Sequence, residues 1–198
     1  MRAGRALFAA RPADAVTIDD IVREADVAKG SFYNHFPDRD ALVLAVVHEV
    51  RQSLEGAVQA ANDGVEDPAR RIARAVCVYQ RFALEDPERA RVLLRIQAGA
   101  AELEGPRNRG LVEDLTAGIA AGRLQVATLE AAMLFVIGAS QSALMRNTRN
   151  PSPELAVSLT QQMCALILKG LGVPSAEAET IAAQSADEIV RRGGSAAG

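Results

Sequence analysis

Two short amphipathic patterns meet at a three-residue corner, and that corner constrains the fold more than any other part of the chain. Thr17 precedes an apolar set (Ile18, Ile21, Val22, Ala25) spaced as one face of a helix. Its hydroxyl can accept from a backbone N–H of the first turn, and Asp19 and Asp20 place carboxylates where the helix dipole favours them. Asp26-Val27-Ala28 makes the corner, and a second short helix runs from about Lys29 to Phe36, ending before Pro37. The spacing predicts a helix-turn-helix, with Val27 as the apolar pin between its helices.

The second helix carries Lys29, Ser31, Tyr33, Asn34 and His35 within a turn or two. All can donate hydrogen bonds and Lys29 adds charge, a set that suits phosphate oxygens and base edges. Gly30 is a poor helix former but lets backbone approach a large partner closely. Phe32 and Phe36, four residues apart, read as core anchors. A polar surface turn would carry similar residues, so donors alone do not name a partner.

The run Val27-Ala28-Lys29-Gly30-Ser31-Phe32-Tyr33-Asn34-His35-Phe36, followed by Asp38-Arg39-Asp40 and Leu42, closely resembles the DNA-binding signature of the tetracycline-repressor (TetR) family of bacterial transcription regulators. The resemblance is specific over about residues 5–55 and beyond that rests on helix lengths and spacing. By their chemistry, Lys29 and Gly30 open the recognition helix, with Lys29 able to reach guanine O6 or N7. Ser31, Tyr33, His35 and the Thr17 hydroxyl suit phosphate oxygens, as does Arg39 at the start of the next helix. Asn34, a further donor on the same helix, belongs to the DNA-binding set, and the resemblance implies the same assignments. Arg39 stands where the family commonly has Lys, and Asp26 where it commonly has Gly. Asp tolerates a left-handed backbone better than most residues do. The chain begins almost inside its first helix, residues 2–10, without the basic residues that usually precede it in the family; either the start is truncated or the arm is lacking.

Bulk charge does not advertise nucleic acid. The net charge is −3, and the first 39 residues balance six cations against six carboxylates, so any binding depends on where the cations sit. Cys77 and Cys164 lie far apart in the sequence, each inside an apolar helical pattern, and read as buried free thiols of a reducing cytosol. The longest strongly apolar run, Ala131 to Ala139, is too short to span a bilayer and no signal peptide is visible, so a soluble cytoplasmic protein is expected. No metal-spaced His or Cys cluster, nucleophile elbow or phosphate loop occurs, so no catalytic residues, cofactor or metal are expected. The carboxylate pairs Asp19/Asp20 and Glu102/Glu104 read as dipole stabilisation and a solvated loop.

The expected fold is all-α: an N-terminal three-helix helix-turn-helix domain over residues 1–45 and a helical bundle over 46–192, about nine to ten helices in total, with a disordered tail at 193–198. A long fourth helix from Asp38 to about Asn62 carries the stripe Leu42, Ala45, Val46, Val50 and Leu54, and would bridge the two domains. Further helices are expected over Pro68–Glu85, Glu88–Ala98, Asn108–Ala121, a segment within Gln125–Asn147 capped by Thr128, Glu154–Leu171 and Ser175–Arg192, with Gly99–Arg107 as a loop.

The C-terminal helices are expected to enclose a small-molecule effector, with Tyr79, Phe82, Arg95, Gln97, Gln141 and Arg146 as polar or aromatic groups among apolar neighbours. The eighth and ninth helices are expected to form a homodimer interface through Met133, Val136, Ile137, Ser140, Leu144, Leu155, Leu159, Met163, Leu166 and Ile167. The function expected is a dimeric regulator, a repressor released from a palindromic double-stranded DNA operator when an effector binds. The alternative is a helical small-molecule-binding protein that no longer binds DNA, motivated by the short start and neutral domain charge.

Overall fold

A computed structural model of the protein describes residues 1–97 and 108–191. Its helices are α1 (Arg2–Ala10), α2 (Ile18–Ala25), α3 (Lys29–Tyr33), α4 (Arg39–Ala61), α5 (Pro68–Glu85), α6 (Pro87–Gln97), α7 (Arg109–Ala120), α8 (Leu129–Arg149), α9 (Pro153–Gly170) and α10 (Ser175–Ser185). A 3₁₀ turn, Ala13–Ala15, precedes α2, and a π-helical segment, Ala186–Arg191, continues α10. Among the described residues there is no strand. Glu102, Glu104, the expected 99–107 loop and the 193–198 tail lie outside the described residues.

The expected caps form. Asp38 Oδ1 accepts from Ala41 N at 2.8 Å at the start of α4, and Thr128 Oγ1 accepts from Ala131 N at 3.1 Å at the start of α8. Both satisfy amides that an isolated helix end leaves without a partner. α3 is shorter than the pattern suggested: its regular part ends at Tyr33, and turn bonds from His35 N and Phe36 N to Phe32 O carry the chain onward.

The chain folds as two compact units, one formed by Met1–Ser53 with Asp86–Ala101 and the other by Leu54–Glu85 with 102–198. α6, expected in the second domain, folds with the first unit because its Val92 joins a core of Phe8, Val16, Ile21, Phe32, Leu42, Val46 and Val47. Polar contacts reinforce this packing: Arg5 of α1 reaches Glu49 Oε1 of α4 at 3.1 Å and Glu88 Oε1 of α6 at 3.3 Å.

In the second unit α5 is the central element, packing against α7, α8, α9, α10 and the π-helical segment. It can do so because its buried positions are small or slim: Ala69, Ala73, Val76, Cys77 and Ala83 beside Ile72 and Gln80. Arg71 of α5 ties the end of α4 to α7, donating to the carboxylate of Asp114 and to the carbonyls of Asn62 and Val65. Burial pushes the Asp114 carboxyl up from its ordinary value, outweighing the guanidinium that pulls it down. Arg123 clamps Asp67 at 2.9 Å and Glu177 at 2.8 Å.

Cys77 and Cys164 are buried and free, as the apolar patterns indicated, yet they are neighbours in space, with Sγ atoms 3.7 Å apart between α5 and α9. Contact with Cys164 and burial push the Cys77 thiol well above its ordinary value. No helix among the described residues is long and apolar enough to cross a membrane.

Candidate nucleic-acid interface

α2 begins with a reciprocal capping box. Thr17 Oγ1 accepts from Asp20 N at 3.1 Å, and Asp20 Oδ2 accepts from Thr17 N at 3.1 Å and from the Thr17 hydroxyl at 2.9 Å. These bonds hold the Asp20 carboxyl below its ordinary value. The Thr-x-x-Asp spacing carried this signal in the sequence. The Thr17 hydroxyl proton is therefore committed inside the chain, and a phosphate would meet the hydroxyl only by competing with Asp20.

Asp26 ends α2 with φ 53° and ψ 50°, the left-handed conformation, and Val27 N returns to Val22 O at 3.0 Å. The corner thus takes the backbone state that the family's Gly would reach freely, in a residue that reaches it at modest cost. Val27 does not pin the two helices, because it is 47% exposed. That role falls to Ile21 and Phe32, which enter the core of the unit, with Phe36 packed against it. Once the corner turns left-handed, Val27 lies on the outside of the bend, a consequence that helical periodicity does not report.

With Phe32 buried, the rest of α3 and the turn after it face outward. Lys29, Gly30, Ser31, Tyr33, Asn34 and His35 are all exposed. The Tyr33 ring stands edge-on to Phe32, centroids 5.5 Å apart, which steadies an aromatic side chain that is half exposed. Lys29 Nζ lies 2.8 Å from Asp19 Oδ1, and that contact raises the Lys29 pKa. Arg39 is engaged as well, donating to Asp40 Oδ1 from Nε and Nη2 and to the Asp14 carbonyl from Nη1 at 3.1 Å. The donors of α3 and the turn after it are thus exposed, and Lys29 and Arg39 have acidic partners, Asp19 and Asp40, which sequence spacing did not reveal.

The residues expected to meet an effector are distributed along α5, α6 and α8. Tyr79 and Phe82 of α5 and Gln141 of α8 are half-buried. Arg146 is exposed and donates to the Asn150 carbonyl at 3.2 Å. The side chains of Arg95 and Gln97 lie outside the described residues. Sequence reading missed Gln80, which is fully buried, donates to Ser140 O at 3.1 Å and accepts from Asn147 Nδ2 at 2.9 Å. A glutamine in an apolar helix was the available signal.

The α8 and α9 residues expected at a homodimer interface differ in exposure. Met133, Val136, Leu144 and Ile167 are buried within the second unit's own core. Helices this apolar on most sides conceal which stripe packs inward. Ile137, Ser140, Leu159 and Met163 are half-buried, whereas Leu155 and Leu166 are exposed at 61% and 59%. Leu134, Phe135 and Met145, absent from the expected set, are exposed too. Among the described residues no group of three or more His, Cys, Asp or Glu is placed to hold a metal ion.

A helix-turn-helix with an outward polar recognition helix, followed by an all-helical second unit, is the architecture of a bacterial transcription regulator. The family model described as bacterial regulatory proteins, tetR family, matches residues 1–46, and the tetracyclin repressor-like C-terminal domain matches residues 67–184. The chain belongs to the tetR family. Among solved structures, RolR without ligand is 32% identical over 91% of this chain and 93% of its own, with a TM-score of 0.62. RolR in complex with the ligand resorcinol is matched at 27% identity over 92% of this chain and 90% of that one, also with a TM-score of 0.62. A gamma-butyrolactone receptor (ArpA-like protein) shares the fold at 18% identity, covering 94% of each chain with a TM-score of 0.69.

Proposed function

We propose that the protein is a dimeric, ligand-responsive DNA-binding repressor. The observation that carries the reading is the outward face of α3, where Lys29, Ser31, Tyr33, Asn34 and His35 stand exposed while Phe32 locks the helix to its core. Exposed donors on a rigid short helix are what a major groove requires: Lys29 for a guanine edge, hydroxyls and imidazole for phosphates. Thr17, Gly30 and Arg39 complete the surface, with Thr17 and Arg39 exchanging internal partners for phosphate on binding.

The exposed apolar row on α8 and α9 supports the dimer. Leu134, Phe135, Met145, Leu155 and Leu166 would be covered by the same face of a second copy about a twofold axis. Two recognition helices would then enter successive major grooves of a palindromic operator. An effector in the second unit, near Tyr79, Phe82 and Gln141, would favour a half-site spacing that mismatches the operator. Coupling of about 1–3 kcal/mol changes occupancy roughly 5- to 150-fold. The similarity to RolR makes resorcinol the first effector to try.

The test is a titration of the full chain against duplexes from the neighbourhood of its own gene, at low and moderate salt, with and without resorcinol. Sequence-selective retardation that weakens with salt supports the reading. A complete lack of DNA binding at low salt, with resorcinol binding retained, would instead establish the alternative of a helical ligand-binding protein that does not use DNA.

A further inference from the structure

Several cations of the helix-turn-helix unit are engaged by carboxylates of the same unit. Arg11 lies 3.5 Å and Arg23 3.7 Å from Asp20, Arg39 lies 2.8 Å from Asp40, and Arg5 is shared by Glu49 and Glu88. These pairs link segments of the scaffold or lie beside it. The Lys29–Asp19 pair is different. It joins the first turn of α2 to the first residue of α3 across the left-handed corner, at 2.8 Å, on the face carrying the other exposed donors. Both side chains are more than half exposed, so the contact anchors no core.

Asp19 is presented from a rigid position. The capping box of Thr17 and Asp20 fixes the turn that carries it, and Ile21 anchors that turn to the core. Lys29, by contrast, is an ammonium on a flexible stem that can swing toward any oxyanion within reach. An ammonium has three donors, and one spent on Asp19 leaves two. Guanine offers two acceptors, O6 and N7, in fixed geometry. A phosphate near this site would also have to approach the Asp19 carboxylate, and like charges repel, whereas a base edge carries no net charge.

We propose that Asp19 is a positioning residue that sets DNA specificity: it holds the Lys29 ammonium away from the phosphate backbone and directs its remaining donors to a guanine edge. This rests on the reading of the chain as a DNA-binding regulator. Asp19 thus lowers sequence-independent affinity and raises discrimination. Without it, Lys29 becomes one more phosphate-binding cation.

The experiment measures binding of the full chain to two fluorescent duplexes across a salt series, one of random sequence and one carrying a site selected from a randomised pool. The variants are Asp19→Asn, Asp19→Ser, Lys29→Gln, the double variant Asp19→Asn/Lys29→Gln, and Glu24→Gln. Glu24 is an exposed carboxylate on the same helix and controls for bulk charge. Thermal melting confirms that each is folded. Asp19→Asn and Asp19→Ser should tighten random-duplex binding about 3- to 10-fold and steepen the log K against log salt slope by about 0.9, the value of one added phosphate contact. The ratio of selected to random affinity should fall by a similar factor. Glu24→Gln should leave the slope unchanged, and the slope change from Asp19→Asn should vanish in the Lys29→Gln background. Equal effects from Glu24→Gln, or a gain that persists without Lys29, would overturn the proposal while leaving the DNA-binding reading intact. If the wild-type chain binds neither duplex at low salt, both fall.

Discussion

Gly172 offers the sharpest test of the packing in the second unit. It follows α9 with φ +88°, beyond the left-handed range that L residues tolerate best. A Cβ there would lie 2.7 Å from Gln125 Cβ, 3.0 Å from Gln125 N and 3.1 Å from Gln125 O. Carbon atoms prefer about 3.5–4.0 Å. The neighbour cannot retreat freely, because Gln125 N donates to Leu171 O at 2.8 Å. Gly122, which closes the end of α7 at φ +65°, is the matched control, since a Cβ there meets nothing within 4 Å. Gly122→Ala should therefore cost only the left-handed penalty, about 1–2 kcal/mol, less a few tenths regained from the unfolded chain. Gly172→Ala adds an overpacking cost of about 1–3 kcal/mol, for a total of roughly 2–5 kcal/mol. At this chain length that is a fall in melting temperature of roughly 4–20 °C, against about 2–8 °C for Gly122→Ala. Circular dichroism melts and urea midpoints of the two variants measure the difference. If Gly172→Ala loses no more than Gly122→Ala, the close approach at Gln125 is not a constraint and the argument fails.

Thr17→Ala should destabilise the first unit by about 1 kcal/mol through loss of the N-cap, and Thr17→Ser should restore most of it, as read by urea midpoint. Arg71→Met strands Asp114 in a largely buried position and removes donors from the Asn62 and Val65 carbonyls. Because Arg71 is itself about a third exposed, the loss should be about 2–3 kcal/mol, and adding Asp114→Leu should recover part of it. The Asp67 carboxyl is held below its ordinary value of 3.8, chiefly by its hydrogen bond from Arg123. It therefore adds stability that is fully present above the unfolded value and is lost as pH falls through the lower folded value. Asp67→Asn should flatten the stability profile below about pH 4 and leave its shape near neutrality unchanged; an unaltered acid limb would refute the coupling. Cys77 and Cys164, both buried, with the Cys77 thiol raised, should resist a thiol reagent at mildly alkaline pH in the folded protein and react promptly in denaturant.

Sequence alone determined the features that depend on neighbours along the chain. The caps at Thr17, Asp38 and Thr128, the breaks after Glu85 and around Asn150, and the donor set on α3 are encoded within a few residues of where they act. Local hydrogen bonding and helical period act over that same range, so residue order is enough to read them. The matching of α5 residue for residue has the same origin, since Pro68 and the Asp86-Pro87 break bound it.

Only the tertiary structure decided which side of each helix met which neighbour. Val27 had the composition of a core residue and turned outward because the left-handed corner at Asp26 redirected it. Met133, Val136, Leu144 and Ile167 went into the core while Leu134, Phe135 and Leu166 stayed outside, although all sit in nearly continuous apolar runs. Such runs specify burial without specifying direction, and direction is settled by packing among helices distant in sequence. The same holds for polar groups: the thiols of Cys77 and Cys164, the amides of Gln80 and Asn147, and the Lys29–Asp19 pair meet through the fold. The exposed donors of α3 were thus legible as a set of residues, while their electrostatic setting, a lysine already held by a carboxylate, was set by how α2 and α3 turn toward each other at the corner.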